Sequence, residues 1–269
     1  VDDLPLTTLP TDKIRALLAY LGVESDRAHR RETLAALLWP DSPEAAARTS
    51  LRQALYRLRG ALGDRQAAVP HVLVSAKEVQ LNPDSDHWLD VVDFEAHLAA
   101  SRAHRPRGLS LCPDCVARLT AAVALYRGEF LSGFLLPDCP RFDWWQLSTG
   151  EACHRQAMEA LTWLTDHYEA HGEYALLDHY ARRKIELEPW RESAHRRLMR
   201  ALALTGKRGQ ALHQYEVCCR HLAQELGVDP SAATTELCEQ IREGALDMYV
   251  QETTSAEFPP VFLGSQVSL

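Results

Sequence analysis

Arg48, Arg52, Tyr56 and Arg59 recur at spacings of four, four and three residues, which sets them on one face of a helix. Ala45, Thr49 and Gln53 border that face, and no acidic residue lies between Glu44 and Asp64. Guanidinium forks pair with phosphates and guanine edges, while hydroxyl and amide groups read further base edges. Small residues near the helix start let such a helix enter a major groove. The chemistry expected of this face is recognition of double-stranded DNA. An ordinary solvated helix face carries the same residue types, so the surroundings must decide.

A second cluster is Cys112-Pro-Asp-Cys115, whose spacing suits a metal or a redox couple. A zinc site wants four ligands, and no second CxxC exists. His104, Cys139 and Cys153 complete a site only if the fold brings them close. The bland alternative is a pair of structural thiols opening a helix. The chain has seven cysteines, an odd number, which favours reduced thiols in a cytoplasm. The remaining histidines of the C-terminal half are scattered and do not by themselves specify a metal. The chain lacks GxSxG, HExxH and GxxxxGK[ST], so neither an enzyme nor a nucleotide cofactor is expected.

The basic face needs a frame. A first helix runs from Thr11, the cap, with the stripe Ile14, Leu17, Leu18 and Leu21, and Gly22 is expected to stop it. His29-Arg30-Arg31-Glu32 is expected to open a second helix, ending at Trp39-Pro40. Ser42 as cap and Pro43 as first helical residue open a third, with Leu51, Leu55, Leu58 and Leu62 as its buried stripe and Gly63 as its stop. Val72 and Val74, then Val79 and Leu81, alternate around a polar turn that places Lys77 at a hairpin tip. Three helices and a hairpin make a winged helix-turn-helix, and Lys77 stands where a wing meets the minor groove or backbone. Lys13 and Arg15, near the start of the first helix, are weaker phosphate contacts.

From about residue 112 to 246 the pattern is amphipathic helix. Tyr168-x3-Gly172-x7-Tyr180 resembles Leu202-x3-Gly206-x8-Tyr215, and the two glycines are 34 residues apart, the tetratricopeptide period. Arg182, Arg183, Arg191, Arg196, Arg197 and Arg200 are read as solvated faces of that stack, and Phe142, Trp144 and Trp145 as inter-helix packing.

At 269 residues, 25% charged and 46% hydrophobic, the chain reads as about two soluble domains. No apolar run suits a bilayer span and the N-terminus has no basic leader, so neither a membrane protein nor a secreted precursor is expected. The net charge of −8 argues against nucleic acid until it is divided. Residues 11–62 hold nine Lys/Arg and six Asp/Glu, a balance of +3, which leaves −11 for the rest. A single basic module on an acidic chain is the pattern of DNA binding by that module alone.

Leu34-Ala-Ala-Leu-Leu-Trp-Pro-Asp-Ser42 and Ala47-Arg-Thr-Ser-Leu-Arg-Gln-Ala-Leu-Tyr-Arg-Leu-Arg59 resemble the OmpR-like winged helix of SARP/AfsR-type transcriptional activators. Asp86-His-Trp-Leu-Asp-Val-Val-Asp-Phe94 resembles the strand and linker closing that domain. Leu125-Tyr-Arg-Gly-Glu-Phe-Leu-Ser-Gly-Phe134, with the repeats, resembles the bacterial transcriptional activation domain. The resemblance covers roughly residues 11–246 in the family's domain order. It implies a mainly α chain: a winged helix over 1–98, a tetratricopeptide-like domain over 99–250, and an extended tail over 251–269. It also implies an activator that binds promoter direct repeats, as a pair on DNA, and contacts RNA polymerase. Arg48, Thr49, Arg52, Gln53, Tyr56, Arg57 and Arg59 are then the recognition-helix contacts, with Arg57 off the main basic face. Two departures stand out. Only about ten residues precede the first helix, too few for the family's N-terminal sheet, and the nucleotide-binding module of longer relatives has no counterpart here. The chain is expected to be a short regulator or the N-terminal part of a longer one. The alternatives are a protein-interaction scaffold using the repeat surface, and a metal- or thiol-gated sensor built on Cys112 and Cys115.

Overall fold

The computed structural model describes residues 9–104 and 111–246. The N-terminal sheet expected to be abbreviated and the tail over 251–269 lie outside the described residues. The protein is mainly α-helical and divides into two compact units. Among the described residues the first unit holds 9–93 and 129–153, and the second holds 94–104, 111–128 and 154–246. The first unit thus draws in a segment, 129–153, from beyond the boundary expected near residue 98.

In the first unit, α1 (Asp12–Val23), α2 (Arg31–Leu38) and α3 (Glu44–Ala61) surround a leucine core. Leu17, Leu21, Leu34, Leu38, Leu51 and Leu58 are fully buried there. Three local expectations need correction. Gly22 lies inside α1, whose C-cap is Glu24; helical geometry suits glycine well enough when packing supports it, and the Gly22 position faces Leu89. Pro43, extended at φ −52° and ψ 144°, takes the cap position that Ser42 was expected to hold, so α3 opens one residue later. His29 and Arg30 do not open a helix. They form strand β1 (His29–Arg30), because the edge of the hairpin offers them backbone partners.

That hairpin is β2 (Val72–Val74) and β3 (Glu78–Leu81), and β3 lies between β1 and β2 in an antiparallel sheet. Its turn contains neither Gly nor Asn. Ser75 supplies the missing chemistry: its Oγ accepts the Lys77 and Glu78 amides at 3.2 and 2.8 Å. The segment Asp86–Phe94, expected to close the domain as a strand and linker, instead runs into helix α4 (Asp90–Ala103). Phe142 and Trp145 are buried in the first unit's core, their rings 5.1 Å apart, as packing groups should be. Trp144 departs from that expectation, since it is 72% exposed.

The second unit stacks helices. After α5 (Pro113–Leu125), the long α6 (Pro140–Ala170) contributes residues to both units, and α7 (Tyr174–Leu187), α8 (Glu192–Leu204), α9 (Arg208–Glu225) and α10 (Ala232–Glu243) follow. Gly172 and Gly206 both take positive φ, +69° and +76°, at the turns that begin α7 and α9. A side chain would strain those turns, which explains the glycine at each 34-residue step. Tyr168 and Tyr180 stack at 5.5 Å, and burial pushes the Tyr168 hydroxyl up to about 12. Leu198, Met199, Leu202, Ala211, Leu237 and Ile241 form the core of the last three helices.

Candidate nucleic-acid interface

α3 follows α2 after a five-residue turn, as the second helix of a helix-turn-helix. Ala47, Leu51, Ala54, Leu55 and Leu58 are buried, which fixes the side of α3 that faces outward. At about 100° per residue, Thr49 and Tyr56 stand at the centre of that outward side, Arg52 and Gln53 flank them at about 50°, and Arg48 and Arg57 mark its edges. The face is therefore wider than the Arg48–Arg52–Tyr56–Arg59 stripe, and Arg57 belongs to it as an exposed edge residue. Arg59 falls between Arg52 and Arg48 by helix angle but is only half-exposed.

The environments of these side chains differ. Arg52, Gln53 and Arg57 are exposed, and among the described residues neither arginine pairs with a carboxylate. Tyr56 is 65% exposed, with the Arg65 guanidinium 4.1 Å from its ring centre. The Thr49 hydroxyl donates to the Ala45 carbonyl at 2.9 Å, a bond common within helices. Arg48 is engaged on both sides, 2.6 Å from Glu44 and 3.3 Å from Glu32. Arg59 Nε lies 3.6 Å from Oδ2 of Asp64.

Asp64 is the anchor between α3 and the hairpin. Its side chain is wholly buried and accepts the His71 amide at 2.7 Å, the Val72 amide at 3.0 Å and the His71 ring at 2.9 Å. Arg59 thus stands beside the base of the wing, where it partly offsets the buried Asp64 charge. Lys77 is exposed in the wing turn. Arg31 joins that turn: its amide donates to the Lys77 carbonyl at 2.9 Å and its guanidinium to the Ser75 carbonyl at 3.1 Å. Lys13 lies 5.5 Å from the Trp39 ring centre, and Arg15 pairs with Asp12 at 2.8 Å. Sequence spacing could not find Arg31, Asp64 or Arg65, because each acquires its role from a partner across a turn or sheet.

Several arginines of the second unit are placed differently. Arg197 bonds Thr165 and Asp166 and lies 3.2 Å from Glu169, which Arg200 also reaches at 2.6 Å. Arg182 pairs with Asp178, Arg183 with Glu186, Arg191 with Glu188 and Arg196 with Glu192. Arg197 and Arg200 tie α8 to α6, whereas Arg182 pairs within α7 and stays exposed, as a solvated face does.

The cysteines separate. His104, Cys112 and Cys115 come together, whereas Cys139 donates to the Leu38 carbonyl at 3.2 Å inside the first unit, to which Cys153 also belongs.

Residues 89–242 match the family model described as bacterial transcriptional activator domain. The chain belongs to that family. Among curated proteins it is 31% identical to the regulatory protein AfsR of Streptomyces coelicolor, over 94% of this chain and 25% of that protein. It is 25% identical to the transcriptional regulatory protein MoaR1 of Mycobacterium tuberculosis, over 92% of this chain and 78% of that protein. The chain thus spans about a quarter of the AfsR length. Among solved structures, Mycobacterium tuberculosis EmbR in complex with a low-affinity phosphopeptide aligns with a TM-score of 0.59 at 24% identity, covering 90% of this chain and 62% of that one. That likeness is one of fold. Together these relatives, named as regulatory proteins, place the chain among SARP-type transcriptional regulators, with a winged helix and a helical repeat domain. No described helix is long and apolar enough to cross a membrane.

Proposed function

We propose that this bacterial transcriptional activator domain protein binds duplex DNA in a sequence-specific way and activates transcription from the promoters it occupies. The observation that carries the reading is the outward side of α3, where Arg52 and Arg57 stand exposed without a carboxylate partner among the described residues. In this reading Thr49, Arg52, Gln53 and Tyr56 enter the major groove and read base edges. Arg48 and Arg57, at the edges, reach phosphates on either side, and Arg48 must first leave Glu44 and Glu32. Lys77 and Arg31 bring positive charge to the wing, which lies along the neighbouring backbone. Arg59 supports the wing through Asp64 and contributes to the field rather than to base contacts. The family resemblance adds direct repeats as the target, a pair of protomers on DNA, and RNA polymerase as the partner of the helical domain.

Selection of bound sequences from random duplexes should return direct repeats, and their spacing reports the pairing geometry. On the selected site, Arg52→Ala should weaken binding by about 10- to 100-fold, the worth of a good bidentate contact, with an unchanged melting temperature. Failure of the wild-type chain to bind any duplex at low salt would overturn the reading.

A further inference from the structure

We propose that His104, Cys112 and Cys115 bind one zinc ion. The three side chains come from the two sides of a corner. His104 follows the last turn of α4, with its amide still bonded to Ala100, and Cys112 is the N-cap of α5. Cys115 is the third residue of that helix. Their ligand atoms all lie within 4.8 Å of one another. His104 Nδ1 is 3.3 Å from Cys112 Sγ and 3.4 Å from Cys115 Sγ. A tetrahedral zinc with bonds of about 2.3 Å to sulfur and about 2.0 Å to nitrogen requires S···N edges of about 3.5 Å. The corner therefore already has close to the spacing that the ion needs.

The surroundings fit the same chemistry. The Cys115 amide donates to Cys112 Sγ at 3.3 Å, an outer contact that holds a sulfur ligand in place and favours its thiolate. The approach to Cys112 is fixed independently, because the Leu111 amide donates to Nδ1 of His167 at 3.2 Å. Two thiolates and an imidazole are a borderline-soft donor set that selects zinc over calcium or magnesium. Cys115 is buried while His104 is exposed, so the set is closed on the protein side and open toward solvent. Three protein ligands leave the fourth position to water or to an incoming donor. The CxxC spacing alone offered half a site. The fold supplies the third ligand from a residue eight positions upstream of Cys112. The bound ion would pin the end of α4 to the start of α5, in the domain that the family model matches.

The test uses the full chain purified in reductant without chelator. Elemental analysis should find one zinc per chain. Cobalt replacing it should give the intense thiolate charge-transfer absorption and visible bands of a tetrahedral site. His104→Ala and Cys112→Ser, both at accessible positions, should each weaken zinc by at least about tenfold in competition with a chromophoric chelator. Cys219→Ser, outside the cluster, should leave binding unchanged. The proposal fails if the wild-type chain holds no zinc and the metal-free form takes up none. It also fails if both ligand variants retain wild-type affinity. A Cys112–Cys115 disulfide that persists in reductant, shown by a mass two hydrogens lower, would replace the metal with a redox pair.

Discussion

The arginines of α3 and those of α8 are the same chemical group put to opposite uses. On α8, Arg197 is largely buried and bonded to Thr165 and Asp166, and Arg196 and Arg200 each face a carboxylate. On α3, Arg52 and Arg57 are exposed and have no carboxylate among the described residues. A guanidinium matched by carboxylates inside the protein has little left to offer a phosphate. One that is unmatched keeps its full charge and its donor fork for an external anion. Counting arginines would give the helical domain the stronger claim to nucleic acid. Exposed arginines of the helical unit such as Arg118, Arg155 and Arg220 also lack a carboxylate among the described residues, so what favours α3 is placement: Arg52 and Arg57 stand on the outward side of one helix that has no acidic residue between Glu44 and Asp64. Arg48 lies between the two cases, since Glu44 and Glu32 hold it loosely at the surface.

This contrast is open to direct attack. The largest effect is expected at the joint that carries the exposed set. Asp64→Ala leaves the His71 and Val72 amides without their acceptor and Arg59 without its counter-charge, which should cost about 2–4 kcal/mol in denaturant unfolding. DNA affinity should fall with it, because the wing loses its anchor. Next, Arg197→Ala should destabilise the chain by about 1.5–3 kcal/mol while leaving DNA affinity unchanged, the mirror image of Arg52→Ala. If Arg197→Ala weakened DNA binding as much as Arg52→Ala, the division of labour would collapse.

Lys184 sharpens the same contrast inside the helical unit. Burial, then repulsion from Arg197 and Arg191, lowers its pKa from 10.5 to about 8, and its ammonium donates to Thr162 at 2.9 Å. Below about pH 8 the folded protein must carry a buried charge, which costs stability. Between pH 8 and 10.5 the unfolded chain still holds the proton that the folded chain has released, so native stability rises with pH there. Lys184→Met should therefore be more stable than the wild type by about 1–2 kcal/mol at pH 7. The advantage should shrink as thermal melts are repeated up to pH 10. A constant difference across that range would mean that Lys184 titrates normally. The smallest effect is expected for Glu44→Gln. Releasing Arg48 from one of its two acids should tighten DNA binding by less than about threefold at low salt and not at all at high salt, as anisotropy titrations would register.

Much of the frame was legible in the sequence, because periodicity reports which side of a helix is buried. The Leu51, Leu55 and Leu58 stripe locates α3, and the alternation of Val72, Val79 and Leu81 locates the hairpin. Gly172 and Gly206 mark turns that only a residue comfortable at positive φ can make. The errors lie where the deciding partner is distant along the chain. His29 and Arg30 have helix-compatible types, yet they pair with Val79 and Glu78, some fifty residues later. Gly22 has the look of a stop, but Leu89 covers it. Arg59 fits the basic stripe by spacing, and its nearness to the buried Asp64 gives it another role.

By itself, the amino-acid sequence determined the order of helices and hairpin, the 34-residue repeat and the concentration of basic residues in one segment, since all three are written in local spacing. Tertiary structure alone decided which charges are spent. It set Arg197 against Asp166, left Arg52 open, drew residues 129–153 into the first unit, and brought His104 to Cys112 and Cys115. Those outcomes depend on through-space distance, and Coulomb attraction, hydrogen bonding and metal geometry all turn on a few ångströms that sequence separation does not encode.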